Sequence, residues 1–273
     1  MKFAFCTCVR IGLSCINSIY ENNGKLHLLI TLDDNKAKNK SGRIYLDDFS
    51  KKNRVPILKI THINEPECII KLKELNIDWL FIIGWSQIAS KKVLQSVNCG
   101  VIGAHPTLLP EGRGRAAIPW TILKGLKKTG VTFFKMNEGV DTGLILAQKE
   151  IHVEEFETAS TLYEKVNQLH FTLIKNLYND LVKNEVIGVI QDESKSSYWP
   201  GRTPKDGEFF VTNSTSYVDR LVRATTKPYP GAFIIIEDIK YIVWSGKIGK
   251  SKGFHINLRD GYYTMEKYEK IIL

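Results

Sequence analysis

Short apolar runs alternate with helically spaced apolar residues along the N-terminal part of this chain, and that alternation constrains the fold most. Lys2 to Cys8, Leu26 to Leu32, Val55-Pro56-Ile57 and Trp79 to Ile83 read as buried strands, the last closed by Gly84. Between and after them stand helical patterns: one through Ile16, Ile19 and Tyr20 that Asn22-Asn23-Gly24 ends, a short one over Phe49 to Arg54, one over Glu67 to Leu75, and one over Ala89 to Val97. Strand and helix in this order build βαβ units, so an α/β protein with a parallel-rich sheet is expected. Asp33 to Arg43 is polar and Lys-rich and reads as a mobile loop.

The stretch from Gly100 to Gly143 holds the residues with chemistry. Val101-Ile102 delivers His105 into a loop where Pro106 and Pro110 deny a helical start. Ala116 to Leu123 reads as a helix with Pro119 in its first turn. Thr129 to Met136 then delivers Asp141 into a second loop, closed by Gly143. Groups at the carboxyl ends of adjacent strands converge in an open α/β sheet, so this His and this Asp can meet. The plain alternative is two unrelated surface loops.

Ile145 to Val153 reads as a further strand, and Thr158 to Val182 as a long amphipathic helix. Gln191 to Gly207 is polar, with two Pro and two Gly, and reads as a linker. Beyond it come a helix over Ser214 to Ala224 and short strands at Phe233 to Ile236, Tyr241 to Trp244, Gly261 to Met265 and Lys270 to Leu273. The expected organisation is therefore a first domain over 1–190, a linker over 191–207, and a small β-rich, barrel-like domain over 208–273.

Composition excludes several classes. With 43% hydrophobic and 25% charged residues among 273, the chain can bury a sizeable core as an ordinary globular protein. Its net charge of +9 admits nucleic acid, an anionic membrane surface or polyanionic small molecules, but the Lys residues are scattered and form no long tract. Five Cys without a CxxC pair do not make a disulfide framework, and Cys6-Thr-Cys8 lies in the first strand, so no metal is expected. No secretory leader pattern and no run of about 18 apolar residues occurs, which points to a cytoplasmic protein with no membrane partner. No GxGxxG follows the first strand, and GxxxxGK[ST], HExxH and GxSxG are all missing.

His105-Pro-Thr-Leu-Leu-Pro110, Gly112-Arg-Gly-Arg115, Thr129-Gly-Val-Thr132 and Asp141-Thr-Gly143 together resemble the formyltransferase family that uses 10-formyltetrahydrofolate. A second block, Arg202-Thr-Pro204, Leu221-Val-Arg-Ala224 and Pro228-Tyr-Pro-Gly-Ala-Phe233 with Trp244, looks most like the enzymes that formylate the amine of a nucleotide-linked amino sugar. The resemblance covers nearly the whole chain. It implies a Rossmann-like folate-holding domain and a smaller β-rich, OB-like domain. It also implies a catalytic Asn-x-His with a distant Asp. His105 and Asp141 match, but Gly103 stands where the family has Asn.

The chemistry suits those residue types. An amine attacks the formyl carbon, the oxygen gains charge, and the amine sheds a proton. An imidazole titrating near ~6.5 can take that proton at neutral pH, and a carboxylate beside it stabilises the imidazolium. Losing one oxyanion donor typically costs ~3 kcal/mol. Protonated His105, a bound water or the Gly103 N–H is expected to take over from the missing Asn, and a Gly103→Asn variant that gained about a hundredfold would show that nothing had.

The resemblance further places the folate against Gln87, Ile88 and Ala89 and against Asn137, Glu138, Gly139, Val140 and Asp141, with Arg115 near the cleft. Arg10, Trp199, Arg202 and Tyr229 are candidates for the sugar nucleotide, cations for its diphosphate and aromatics for its base. For Arg115 and Arg113 the plain alternative is loop structure or solvent, and Trp244 and Phe233 read as core of the second domain. The expected activity is formyl transfer to a dTDP- or UDP-linked amino-dideoxy sugar for surface polysaccharide or glycan biosynthesis. The rivals are methionyl-tRNA formyltransferase and a non-catalytic RNA-binding relative. Nucleic acid is disfavoured, because the second domain is short and no clustered basic loop projects. The base, the sugar carbon and the oligomeric state stay open, although the sugar enzymes of this family are often dimers.

Overall fold

A computed structural model of the chain describes residues 1–36 and 42–273. In chain order the elements are β1 (Phe3–Cys6), α1 (Arg10–Glu21), β2 (Leu28–Leu32), α2 (Asp47–Asn53), β3 (Ile57–Ile60), α3 (Pro66–Glu74), β4 (Trp79–Ile82), α4 (Lys91–Leu94), β5 (Gly100–His105), β6 (Arg113–Gly114), α5 (Ala117–Leu123), β7 (Lys128–Lys135), β8 (Leu144–His152), α6 (Ala159–Lys183), β9 (Tyr198–Trp199), α7 (Thr215–Thr225), β10 (Ala232–Ile236), β11 (Ile239–Ile248), β12 (Phe254–Leu258) and β13 (Gly261–Ile272). They form two compact units of interleaved segments. The first comprises Met1–Arg113, Gly130–Glu150 and Val166–Tyr198, and the second Gly114–Thr129, Ile151–Lys165 and Trp199–Leu273.

The first unit is built on a seven-stranded sheet in the order β3-β2-β1-β4-β5-β7-β8. β3, β2, β1, β4 and β5 are mutually parallel, and the order reverses between β1 and β4, as in doubly wound folds. Successive side chains of a strand point to opposite faces, so each central strand feeds two cores. One face carries Ala4, Cys6, Leu28, Ile30, Leu80, Ile82 and Val101, packed with Cys68 and Leu72 of α3 and Val93 of α4. On the other face Phe3 and Phe5 stack on Phe81, and Phe3 meets Tyr178 of α6. α1 is tied to α6 there by the Ser18 hydroxyl, which donates to the Phe171 carbonyl. Burial pushes the Cys68 thiol up to about 12, so that side chain behaves as an apolar filler.

β7 departs from the expected parallel arrangement. It pairs antiparallel with β5, His105 opposite Thr132 and Ile102 opposite Lys135, so its carboxyl end lies beside Ile102 and not beside His105. The third strand starts two residues later than the sequence suggests. Arg54 adopts a left-handed conformation to cap α2, Val55 N–H returns to Ser50, and pairing begins only after Pro56. Of the loop expected over Asp33 to Arg43, residues 37–41 lie outside those described. Arg43 is fixed by the Thr31 hydroxyl, the Leu32 carbonyl and Asp34.

The second unit holds a four-stranded antiparallel sheet in the order β10-β11-β13-β12. Val218, Leu221 and Val222 of α7 cover Ile234, Tyr241, Val243, Ile256, Leu258, Tyr263 and Met265, with Leu123 of α5 against the same core. The Ser214 hydroxyl caps α7 by accepting from Tyr217 N–H. Phe233 is buried as expected, but Trp244 is half-buried, with its indole N–H on Glu269 and Lys227 over its ring. Among the described residues no helix is long and apolar enough to cross a membrane.

His170 of α6 is fully buried in the first unit, its Nδ1 donating to the Val166 carbonyl and its ring edge-on to Phe133. Burial lowers its pKa to about 4. An unfolded imidazole binds its proton below about 6.5, whereas the folded one stays neutral until about 4, so stability is lost as pH falls through that window. The shift corresponds to about 3 kcal/mol. Urea unfolding at pH 7.5 and pH 4.5 should show that excess acid loss in the native protein and not in His170→Gln.

Candidate active site

β5 ends on His105, which is buried, with its Nε2 2.7 Å from the Gly112 carbonyl oxygen. A carbonyl only accepts, so Nε2 carries the hydrogen and Nδ1 is the nitrogen left to exchange a proton. Nδ1 lies 3.6 Å from Asp141 Oδ2. The two do not meet because strand carboxyl ends converge. They meet because the loop after β7 turns back and carries Asp141 to His105.

That loop is held by its own polar groups. Asn137 Oδ1 accepts from Gly139 N–H and from the Thr142 hydroxyl. Gly143 approaches the Lys135 carbonyl so closely that an added Cβ would lie 1.7 Å from the oxygen, so only glycine fits there. Asp141 itself has φ of 55°, a left-handed conformation that Asp tolerates better than most residues.

Gly103 lies within the sheet, opposite Ile82 on one side and Phe134 on the other. Two positions before His105, it shares the His face of β5. A Cβ there would meet the Phe134 ring at 2.9 and 3.1 Å and Met136 Cγ at 3.2 Å. The buried Phe134 ring thus fills the space where a side chain at position 103 would begin.

The other expected residues divide between the units. In the first, Gln87 spends its amide on the scaffold, accepting from Ile63 N–H and from the Trp85 indole and donating to the Thr61 carbonyl. Ala89 is buried in the core, while Ile88 is exposed and its carbonyl accepts from Asn64. Lys91, at the start of α4, reaches Glu138 of the Asn137–Asp141 loop at 2.9 Å. Ile88 and Val140 are the exposed apolar side chains of the two loops. Arg10 is exposed at the start of α1, after β1, where the strand order reverses.

In the second unit, Arg115 N–H donates to the Trp199 carbonyl, and the exposed Arg115 side chain lies against Gly201. Trp199 is buried. The Arg202 guanidinium stands 5.1 Å over the Trp120 ring and donates to the Asp206 carbonyl, and the Trp120 indole donates to the Pro200 carbonyl. Tyr229 is half-buried, and burial raises its hydroxyl pKa.

Sequence reasoning missed Gln191, Glu193 and Tyr198, and named Arg113 without its partners. Arg113 is fully buried and uses all five of its N–H donors: two on Gln191 Oε1, two on Glu193 and one on the Tyr198 hydroxyl. The Glu193 pairing raises the Arg113 pKa further and holds the Glu193 carboxyl below its usual range. The polar stretch from Gln191 is therefore tied down at its start, where the sequence reads as a loose connector. The only local signal was a Gln ending an apolar run, Val189-Ile190, and it reads equally well as a strand end.

Comparison with known proteins follows the same lines. The family model described as Formyl transferase matches residues 14–177, more than half of the chain. The chain is 32% identical over 246 residues to the bifunctional polymyxin resistance protein ArnA of Wigglesworthia glossinidia brevipalpis, covering 90% of this chain but 37% of that protein. It is 29% identical over 250 residues to the methionyl-tRNA formyltransferase of Clostridioides difficile strain 630, covering 91% of this chain and 81% of that one. A solved N-formyltransferase from Helicobacter canadensis, in complex with folinic acid and dTDP-3-aminofucose, superposes with a TM-score of 0.71 at 16% identity, over 100% of this chain and 98% of that one. At that identity the likeness shows the fold.

Proposed function

This chain belongs to the formyl transferase family, whose formyl donor is 10-formyltetrahydrofolate, and we propose that it transfers the formyl group to the amine of a nucleotide-linked amino sugar. The observation that carries the chemistry is the 3.6 Å approach of His105 Nδ1 to Asp141. The donor supplies a one-carbon unit held on nitrogen, and the Gln87–Ala89 and Asn137–Asp141 loops would hold its ring. His105 Nδ1 takes the proton that the attacking amine must lose. Asp141 stabilises the imidazolium so formed, and the Gly112 carbonyl keeps the ring from turning. The same imidazolium then returns the proton to the departing nitrogen. With no amide at position 103, we assign the charge on the formyl oxygen to this imidazolium and to bound water, which stabilise it less well than an oriented amide would.

For the acceptor, a sugar nucleotide is supported by Arg202, held over Trp120 in the second unit, a fixed cation on an indole that suits a diphosphate and its base. The fold runs end to end with that of an enzyme solved with a dTDP-amino sugar, and equally with that of a solved methionyl-tRNA formyltransferase. The identity to a methionyl-tRNA formyltransferase supports a second reading. Purified protein with 10-formyltetrahydrofolate should release tetrahydrofolate with a dTDP-, UDP- or GDP-linked amino sugar, and the sugar should gain one formyl group by mass. Turnover with charged initiator tRNA alone, falling steeply with salt, would replace the first reading by the second.

A further inference from the structure

We infer that Gln191 is a positioning residue that sets the backbone of Asp141 and thereby the place of its carboxylate against His105. The inference rests on the reading of His105 and Asp141 as the proton-handling pair. Gln191 is buried, and its Nε2 donates to two carbonyls, that of Asp141 at 2.8 Å and that of Gly143 at 2.7 Å. Its Oε1 accepts from Arg113 Nε at 3.1 Å and Nη2 at 2.7 Å. The amide can face only one way. Arg113 offers nothing but donors, and the two carbonyls offer nothing but acceptors, so turning the amide over would break every contact.

The object it holds is a strained one. Asp141 is left-handed, a conformation that persists in a non-glycine residue only where its surroundings fix it. The Gln191 amide grips the carbonyls of 141 and 143, and the contact of Gly143 with the Lys135 carbonyl pins the far side of the turn. Arg113 orients the amide, and Arg113 is itself clamped by both oxygens of Glu193 and by the Tyr198 hydroxyl. A chain of paired groups, with Arg113 and Gln191 buried at its centre, therefore ends on the one residue whose backbone aims the carboxylate. A side chain kept only for packing would not need both amide hydrogens on that turn.

Gln191→Glu tests this, since it keeps an acceptor for Arg113 and replaces the two donations by a carboxylate oxygen. Its kcat should fall about tenfold to a hundredfold, as expected for misplacement of a catalytic group, with both KM values within about twofold. The same substitution in an Asp141→Asn background should have no further effect, because the group it positions has lost its charge. An equal fold-loss in both backgrounds, or a change confined to KM, would overturn the inference. If the Glu variant does not fold, Gln191→Asn, too short to span the two carbonyls, is read by the same criteria. Wild-type turnover in Asp141→Asn alone would instead sink the assignment of the site itself.

Discussion

Replacing His105 by Asn should lower kcat by about 10³-fold, and replacing Asp141 by Asn should cost nearly as much. The double variant should be hardly worse than either single one. The reason is that in the proposed mechanism the two side chains perform one task. Nε2 is committed to the Gly112 carbonyl, so the amine's proton must leave through Nδ1, and the imidazolium then faces Asp141 Oδ2. Without the imidazole no group at this position accepts the proton. Without the carboxylate, the charge that forms has no partner in a buried site. Tetrahydrofolate release under saturating donor and acceptor reads kcat directly, and thermal unfolding separates loss of function from loss of fold. Multiplying losses in the double variant would mean that the two act in separate steps.

Gly103→Asn should not gain activity on its own. The new Cβ would run into Phe134 and Met136, and forcing atoms into a packed interior costs about 1–3 kcal/mol. Combined with Phe134→Val, which clears the ring, the added amide gains room beside His105 on the same strand face. One oriented donor to a developing oxyanion is worth about 10²- to 10³-fold, so the pair should turn over about a hundredfold faster than Phe134→Val alone. Parallel kcat measurements on the four proteins of this cycle decide it. A hundredfold gain in Gly103→Asn alone would show that Phe134 yields easily and that nothing had compensated for the missing amide. No gain in the pair would show that the imidazolium and water already meet the need.

Much of the first unit was legible in the residues, because buried parallel strands are continuous apolar runs and the helices between them keep a 3.6-residue period. Leu28–Leu32 and Trp79–Ile82 stand where such runs lie. The direction of β7 was not legible. Its apolar run is the same read either way, and only its pairing with β5 shows that it is antiparallel. β12 escaped notice because His255 and Asn257 interrupt its pattern on the outward face. β13 appeared as two strands because Glu266, Lys267 and Glu269 resemble a turn, although in the sheet they mark its solvated side. At the site, His105 and Asp141 were visible from their loops and their likeness to a known pattern. Gln191 and its pairing with Arg113 were not, since a buried polar network is defined by partners far apart in sequence, and Arg113 and Gln191 are 78 positions from each other.

Interleaving has a consequence for protein engineering. The antiparallel sheet does not stand alone as a C-terminal cassette. Leu123 lies against its core, and the Glu157 carbonyl takes a guanidinium hydrogen from Arg223 of α7. A chimera that exchanges only the last third of the chain with a relative would marry foreign strands to the wrong underlay. To transplant the second unit whole, the graft must carry Gly114–Thr129 and Ile151–Lys165 along with the tail.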